Sequence, residues 1–318
     1  MRYSLTLCLL LIVMQGISQS SVNKYQSIDN FILELGPLEK ENVATITDTL
    51  TSSFTDKDKK ARAIYTWIAQ YIDLDPKASR TNDDKNTKPE NVIQFRKSSP
   101  LGFALLFQEM CSQADIRCLV VDGYVKYSTE NINNLPDAVN YSWNVVQLGT
   151  SPNEWYYVDA AKASGYLDKK QTLFTRKFSG EYFFSNKPVF NLEHFPDNQA
   201  WLLGEGTRNI KEFYSLPLIH DGAYKLTLSK PNPSNGLIKT KPNDANLFSF
   251  KTNDASNINN ISIILGEGAK QQKPERINFT TKGNEIFFSY KFKKEETFAM
   301  KIIVEGMDLM TYVIECSE

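Results

Sequence analysis

Apolar residues begin to recur at helical spacing after Thr55. Ala61, Ile64, Tyr65, Ile68 and Ile72 fall on one face, and Asp56 and Asp58 favour the positive start of a helix. With Thr55 as candidate N-cap, an amphipathic helix is predicted over residues 56–73. Residues 76–90 have almost nothing to bury and read as a surface loop. Ser99-Pro100 then opens a second helix, because a proline at the first helical position lacks only an N–H that the first turn cannot use. Behind it Leu101, Phe103, Ala104, Leu105, Leu106, Phe107, Met110 and Cys111 are apolar nearly all round, which marks a helix buried in the middle of a domain.

Three β-branched and aromatic runs follow, Ile116 to Tyr127, Trp143 to Leu148 and Trp155 to Asp159. The turn-forming residues 149–154 separate the last two. A buried helix followed by an antiparallel sheet is an α+β arrangement. Beyond about residue 205 the texture changes to short alternating runs punctuated by Gly, Pro, Asn and Asp: Tyr224 to Leu228, Leu247 to Lys251, Ile261 to Leu265, Ile286 to Phe292, Phe298 to Val304 and Thr311 to Ile314. That spacing predicts an all-β sandwich of immunoglobulin-like type. The expected division is 20–205 for the α+β domain, with its core from 55, and 206–318 for the sandwich.

The first 19 residues read differently. Met1-Arg2 precedes an apolar run from Leu5 to Met14 and then small and polar residues, the layout of a secretory signal peptide. The run is too short to span a bilayer, and no later segment is long enough, so a secreted or periplasmic protein without a transmembrane anchor is expected. Abundant Asn, Lys and Ser beside such a signal suggest a bacterial envelope. Charge is balanced, 36 Lys+Arg against 37 Asp+Glu, which argues against nucleic-acid binding. With 2 His and 4 Cys in 318 residues, no cluster has metal-ligand spacing, and neither a metal nor a cofactor is expected. Cys111 and Cys118 flank a helix-to-strand turn and could form a disulfide or sit as two small buried hydrophobes.

Several segments, in order, resemble the transglutaminase-like superfamily, in particular its kyphoscoliosis-peptidase-like branch with a papain-like core. They are the helix Ala61-Arg62-Ala63-Ile64-Tyr65-Thr66-Trp67-Ile68, the flanks Phe95-Arg96-Lys97 and Gly102-Phe103-Ala104, the strand Ile116 to Tyr124, Trp143-Asn144-Val145-Val146, Trp155 to Asp159, and the downstream Tyr182-Phe183-Phe184, His194-Phe195-Pro196-Asp197 and Trp201-Leu202-Leu203. The resemblance implies a Cys at the start of the buried helix, a His on the following sheet and an Asp that orients it. Carried across by position, the Cys falls on Pro100, the His falls on Tyr141, and only the acid, Asp159, remains.

Proline has no nucleophile, and tyrosine is a poor base near neutral pH. Ser99 adjoins the lost nucleophile but reads as an N-cap. His194 belongs to a signature that active members carry in addition to their catalytic His, so it reads as structural, and His220 as a turn at the start of the second domain. The degenerate triad Pro100, Tyr141 and Asp159 implies a pseudoenzyme that binds a protein or a cell-envelope polymer, with Ser99, Trp143, Asn144 and Trp155 as candidate cleft residues. The alternative is an altered acyl-transfer or peptidase-type enzyme using residues outside the family pattern.

Overall fold

The computed structural model describes residues 24–81, 85–149 and 154–318; the expected signal segment 1–19 and most of the 149–154 turn lie outside the described residues. The described chain opens with two helices the apolar pattern left unread, α1 (Gln26–Leu35) and α2 (Val43–Thr51). The first buries Ile28 and Ile32; the second buries Val43, Ile46 and Leu50 and is capped by Asn42, which accepts from Thr45 N. Both pack on α3 (Lys57–Tyr71), whose N-cap is Asp56 rather than Thr55.

A two-residue strand, β1 (Asp73–Leu74), follows. The expected 76–90 loop instead contains α4 (Pro76–Thr81) and leads into α5 (Pro89–Phe95). Each begins on a proline, and the Asp75 carboxylate accepts from Lys77 N and Ala78 N at the start of α4. Start signals of this kind make short helices even where little is buried. Then come β2 (Lys97–Ser98), parallel to β1, and the buried α6 (Pro100–Gln113).

Helix α6 lies against an antiparallel sheet of order β5-β4-β3-β8. Its strands are β3 (Arg117–Val125), β4 (Tyr141–Gln147), β5 (Trp155–Val158) and β8 (His194–Pro196). Between β5 and β8 the chain forms α7 (Ala160–Ser164), the hairpin β6 (Gly165–Leu167) and β7 (Phe174–Arg176), and α8 (Lys187–Glu193). The frame is α+β, with α6 in its centre.

Helix α9 (Ile210–Ser215) still packs on this unit, since Phe213 and Tyr214 cluster with Phe195. Next are β9 (Leu218–Ile219) and α10 (Gly222–Lys225). The strand expected from Tyr224 to Leu228 is therefore a helical turn followed by coil. The Tyr224 hydroxyl donates to Glu193 at 2.6 Å, a tertiary tie that overrides the local aromatic signal. The remaining strands are β10 (Ser229–Asn232), β11 (Leu237–Thr240), β12 (Ala245–Lys251), β13 (Ile261–Leu265), β14 (Glu275–Arg276), β15 (Thr280–Lys282), β16 (Glu285–Lys291), β17 (Glu296–Val304) and β18 (Met307–Cys316). They form two sheets, β10-β12-β16-β15 and β11-β18-β17-β13-β14, with β9 also pairing β18. Phe248, Phe250, Ile286, Met300, Ile302 and Tyr312 are buried in this strand-rich region.

Candidate functional site

The site is assembled around the start of α6. Ser99 holds the N-cap position in extended backbone, but its side chain makes no capping bond, and its buried Oγ has no partner among the described residues. Pro100 occupies the first helical position and is buried. Asn144 ties the helix to the sheet, its amide donating to Ala104 O at 3.0 Å, one turn beyond Pro100.

Strand β4 begins at Tyr141, and its hydroxyl donates to Asp159 Oδ1 at 3.2 Å. Asp159 also caps α7, Oδ1 accepting from Lys162 N at 2.9 Å, while Oδ2 lies 3.0 Å from His194 Nε2. Both carboxylate oxygens are thus engaged. His194 enters from β8, where it pairs with Val125, and its ring stacks on Phe190 at 3.8 Å. Trp143 and Tyr141 meet the same imidazole edge-on at 5.2 and 5.7 Å. His194, Asp159 and Tyr141 are only 0%, 1% and 4% exposed, so the cluster is almost wholly withdrawn from bulk water and meets the open space only at Tyr141. The structure brings Tyr141 and Asp159 together and adds His194, which the sequence pattern alone set aside.

Beside this cluster Glu193 accepts from Lys162 Nζ and from Tyr224 OH, each at 2.6 Å. Burial alone would raise the Glu193 carboxyl, but Lys162, His194 and the two hydrogen bonds outweigh it and hold it at about 2. Burial first, and then the Asp159 charge, push the Tyr141 hydroxyl well above its ordinary value. Tyr141 therefore stays protonated and donates. It offers no base, and Pro100 has no nucleophilic atom.

Ser99, Trp143, Asn144 and Trp155, expected along a cleft, are 4%, 1%, 1% and 8% exposed. The structure places them in the core. Trp155 packs edge-on against Trp201 at 5.2 Å beneath the Arg117 guanidinium, and Asn144 is spent on the α6 tie. The open space is elsewhere, a cleft of about 1180 Å³ between the α+β unit and the strand-rich region. Tyr141, Lys126, Lys162, Glu193, His220 and Lys301 are among the residues lining it. Leu74 lines it too, and Leu74 pairs with Ser98, so the cleft runs close to the start of α6.

Two further lining residues escaped the apolar pattern. Lys126, at 3% exposed, donates to Phe213 O at 2.8 Å; its desolvation, only partly offset by Glu193, lowers the amine to about 7. His220, expected in a turn, lies between β9 and α10 with Nε2 2.7 Å from Thr311 Oγ1. Burial, reinforced by Lys301, depresses its imidazole to about 4.

Cys111, Cys118 and Cys316 are free and buried. Burial, with Cys118 alongside, raises the Cys111 thiol well above its usual range, which disfavours the reactive thiolate. Among the described residues no group of His, Cys, Asp or Glu has the makings of a metal site, and no helix is long and apolar enough to cross a membrane.

Residues 44–160 match the sequence profile of the transglutaminase-like superfamily. Kyphoscoliosis peptidase of Mus musculus and of Homo sapiens is each 28% identical over 196 residues, covering 61% of this chain and 29% of the relative. The Lim and transglutaminase domain protein ltd-1 of Caenorhabditis elegans is 24% identical over 313 residues, 93% of this chain and 38% of its own length. A crystal structure of a TGase covers 45% of this chain and 35% of that one, at 14% identity and a TM-score of 0.28. The chain thus spans well under half the length of these curated relatives. Residues 44–160 are a transglutaminase-like domain, and its α+β frame is continued by strand-rich sequence towards the C terminus.

Proposed function

We propose that this transglutaminase-like protein binds rather than catalyses, as an exported module, secreted or periplasmic, that takes a protein or a cell-envelope polymer into the cleft beside Tyr141. One observation carries the reading. The helix start where the family resemblance places a nucleophile is Pro100, and the surviving acid, Asp159, spends both oxygens on Tyr141, His194 and Lys162. What remains is a buried hydrogen-bond network around Asp159, in which His194 Nδ1 alone of the polar atoms of Tyr141, Asp159 and His194 lacks a hydrogen-bond partner among the described residues. Such a network specifies a fold. Calorimetric titration with soluble peptidoglycan fragments and with purified envelope proteins tests it. Saturable binding weakened by Lys225→Glu on the cleft wall supports the reading, and silence across the panel contradicts it.

A second reading, residual acyl transfer from Ser99, has one observation in its favour, the unpartnered Ser99 Oγ near the helix start. Its 4% exposure stands against it. Labelling by a fluorophosphonate, lost in Ser99→Ala, would favour this second reading.

A further inference from the structure

A second hollow, of about 650 Å³, opens where the strand-rich region meets the 3-10 turn Thr129–Asn131 of the α+β unit. Thr129 and Glu267 line both this hollow and the large cleft, and their side chains meet at 3.0 Å. That contact forms the partition between the two spaces. The volume falls in the range of sites that enclose small organic ligands, roughly 300–1,000 Å³.

The floor is apolar: Ile132, Leu237, Leu265, Phe292, Phe298 and Val313. Leu237, Leu265, Phe298 and Val313 are only half-buried, which leaves unpartnered apolar surface inside a concavity rather than scattered over a convex face. Val313 and Leu237 are register partners on β18 and β11, so the floor is a rigid piece of sheet.

The rim is asymmetric in its free charge. Four lysines border it, Lys270, Lys291, Lys293 and Lys294, and none has an ion-pair partner among the described residues. Most of the carboxylates there are already engaged. Glu130 and Glu267 hold Lys169 at 3.3 and 2.6 Å and Glu315 holds Lys239 at 3.2 Å, while Glu275 accepts from the Tyr290 hydroxyl at 2.7 Å and keeps its charge. Glu296 alone lacks a described partner. An apolar floor beneath four unpaired ammonium groups, set against two carboxylates without a cationic partner, Glu275 and Glu296, is complementary to a molecule with an alkyl body and an anionic head.

We propose that this hollow is a binding site for a single-chain anionic amphiphile, a fatty-acid-like carboxylate whose chain lies on the Leu265/Phe298/Val313 floor and whose head meets the lysine rim. The site is separate from the Tyr141 cleft and does not depend on how that cleft functions. Titration of the full chain with dodecanoate, kept below its micelle concentration, tests it. One saturable site is expected, with no binding of acetate and clearly weaker binding of dodecyltrimethylammonium, whose head has the opposite charge.

Reversing three exposed rim charges together, Lys291→Glu, Lys293→Glu and Lys294→Glu, is expected to weaken dodecanoate about tenfold or more, the scale of several exposed charge contacts. Val313→Asp is expected to abolish binding, and the rim variant stands as a test if that substitution harms folding. Equal affinity for the cationic and anionic amphiphiles, an unchanged affinity in the triple variant, or binding to phosphatidylglycerol vesicles without binding of monomeric dodecanoate would each overturn the proposal.

Discussion

At the scale of single residues, Asp159 bears the most. It caps α7 and anchors both Tyr141 and His194. Asp159→Ala is expected to destabilise the chain by about 3 kcal/mol, because it removes a cap and leaves buried donors unpaired. Tyr141→Phe removes a single hydrogen bond and is expected to cost about 1 kcal/mol. Urea unfolding of the two variants checks the difference, and equal effects would mean that Asp159 acts only through Tyr141. Pro100, Tyr141 and Asp159 are positions that the family resemblance picks out, and Tyr141 and Asp159 meet at 3.2 Å. His194 could not be placed beside them from the sequence, because its meeting with Asp159 depends on β8 pairing with β3, from Val125↔His194 to Gly123↔Pro196, a contact across some 70 residues of chain. The cleft-lining Lys126 and Glu193 were hidden for the same reason, since a lone charged residue in sequence reads as surface.

At the scale of elements, α6 was legible because two independent signals coincide, the Ser99-Pro100 start and an apolar circumference. Helices α1 and α2 were not, because at 10 and 9 residues each shows fewer than three turns of periodicity. What holds α1 is a charged residue in the core. Arg62 grips Asp29 through Nε at 2.8 Å and Nη2 at 2.7 Å and is 1% exposed. Arg62→Ala leaves Asp29 without its counter-ion and is expected to cost about 3–5 kcal/mol in urea unfolding. A loss below about 1 kcal/mol would show α1 to be held by its apolar face alone.

The β9–α10 junction adds a pH dependence. His220 is depressed from 6.5 to about 4, so the unfolded chain takes up a proton before the folded one does. Its contribution is complete above pH 6.5 and is lost as pH falls towards 4. Glu193 is depressed from 4.5 to about 2 and adds a second loss over that lower window. The melting temperature is thus expected to fall in two stages on acidification, and His220→Gln is expected to flatten the first. A first stage unchanged in that variant would assign it to another group.

At the scale of the whole molecule, the two regions are stitched by polar contacts, one buried and one part-buried. Tyr224 reaches Glu193, and Tyr182 donates to Asp221 at 3.0 Å. All 4 tryptophans, Trp67, Trp143, Trp155 and Trp201, lie in the α+β unit, so their fluorescence follows that unit, while far-UV circular dichroism follows the strands as well. Coincident urea transitions by the two probes are expected from this shared seam, and a separate dichroism step would show the strand-rich region unfolding on its own. The proposal that this chain binds rather than catalyses is tested most directly by one comparison: amine incorporation and peptide hydrolysis by the purified chain beside Asp159→Asn and His194→Gln. The expected result is the same uncatalysed background in all three. Turnover by the native chain that falls in either variant would contradict the binding-only reading and make the Asp159–His194 pair catalytic.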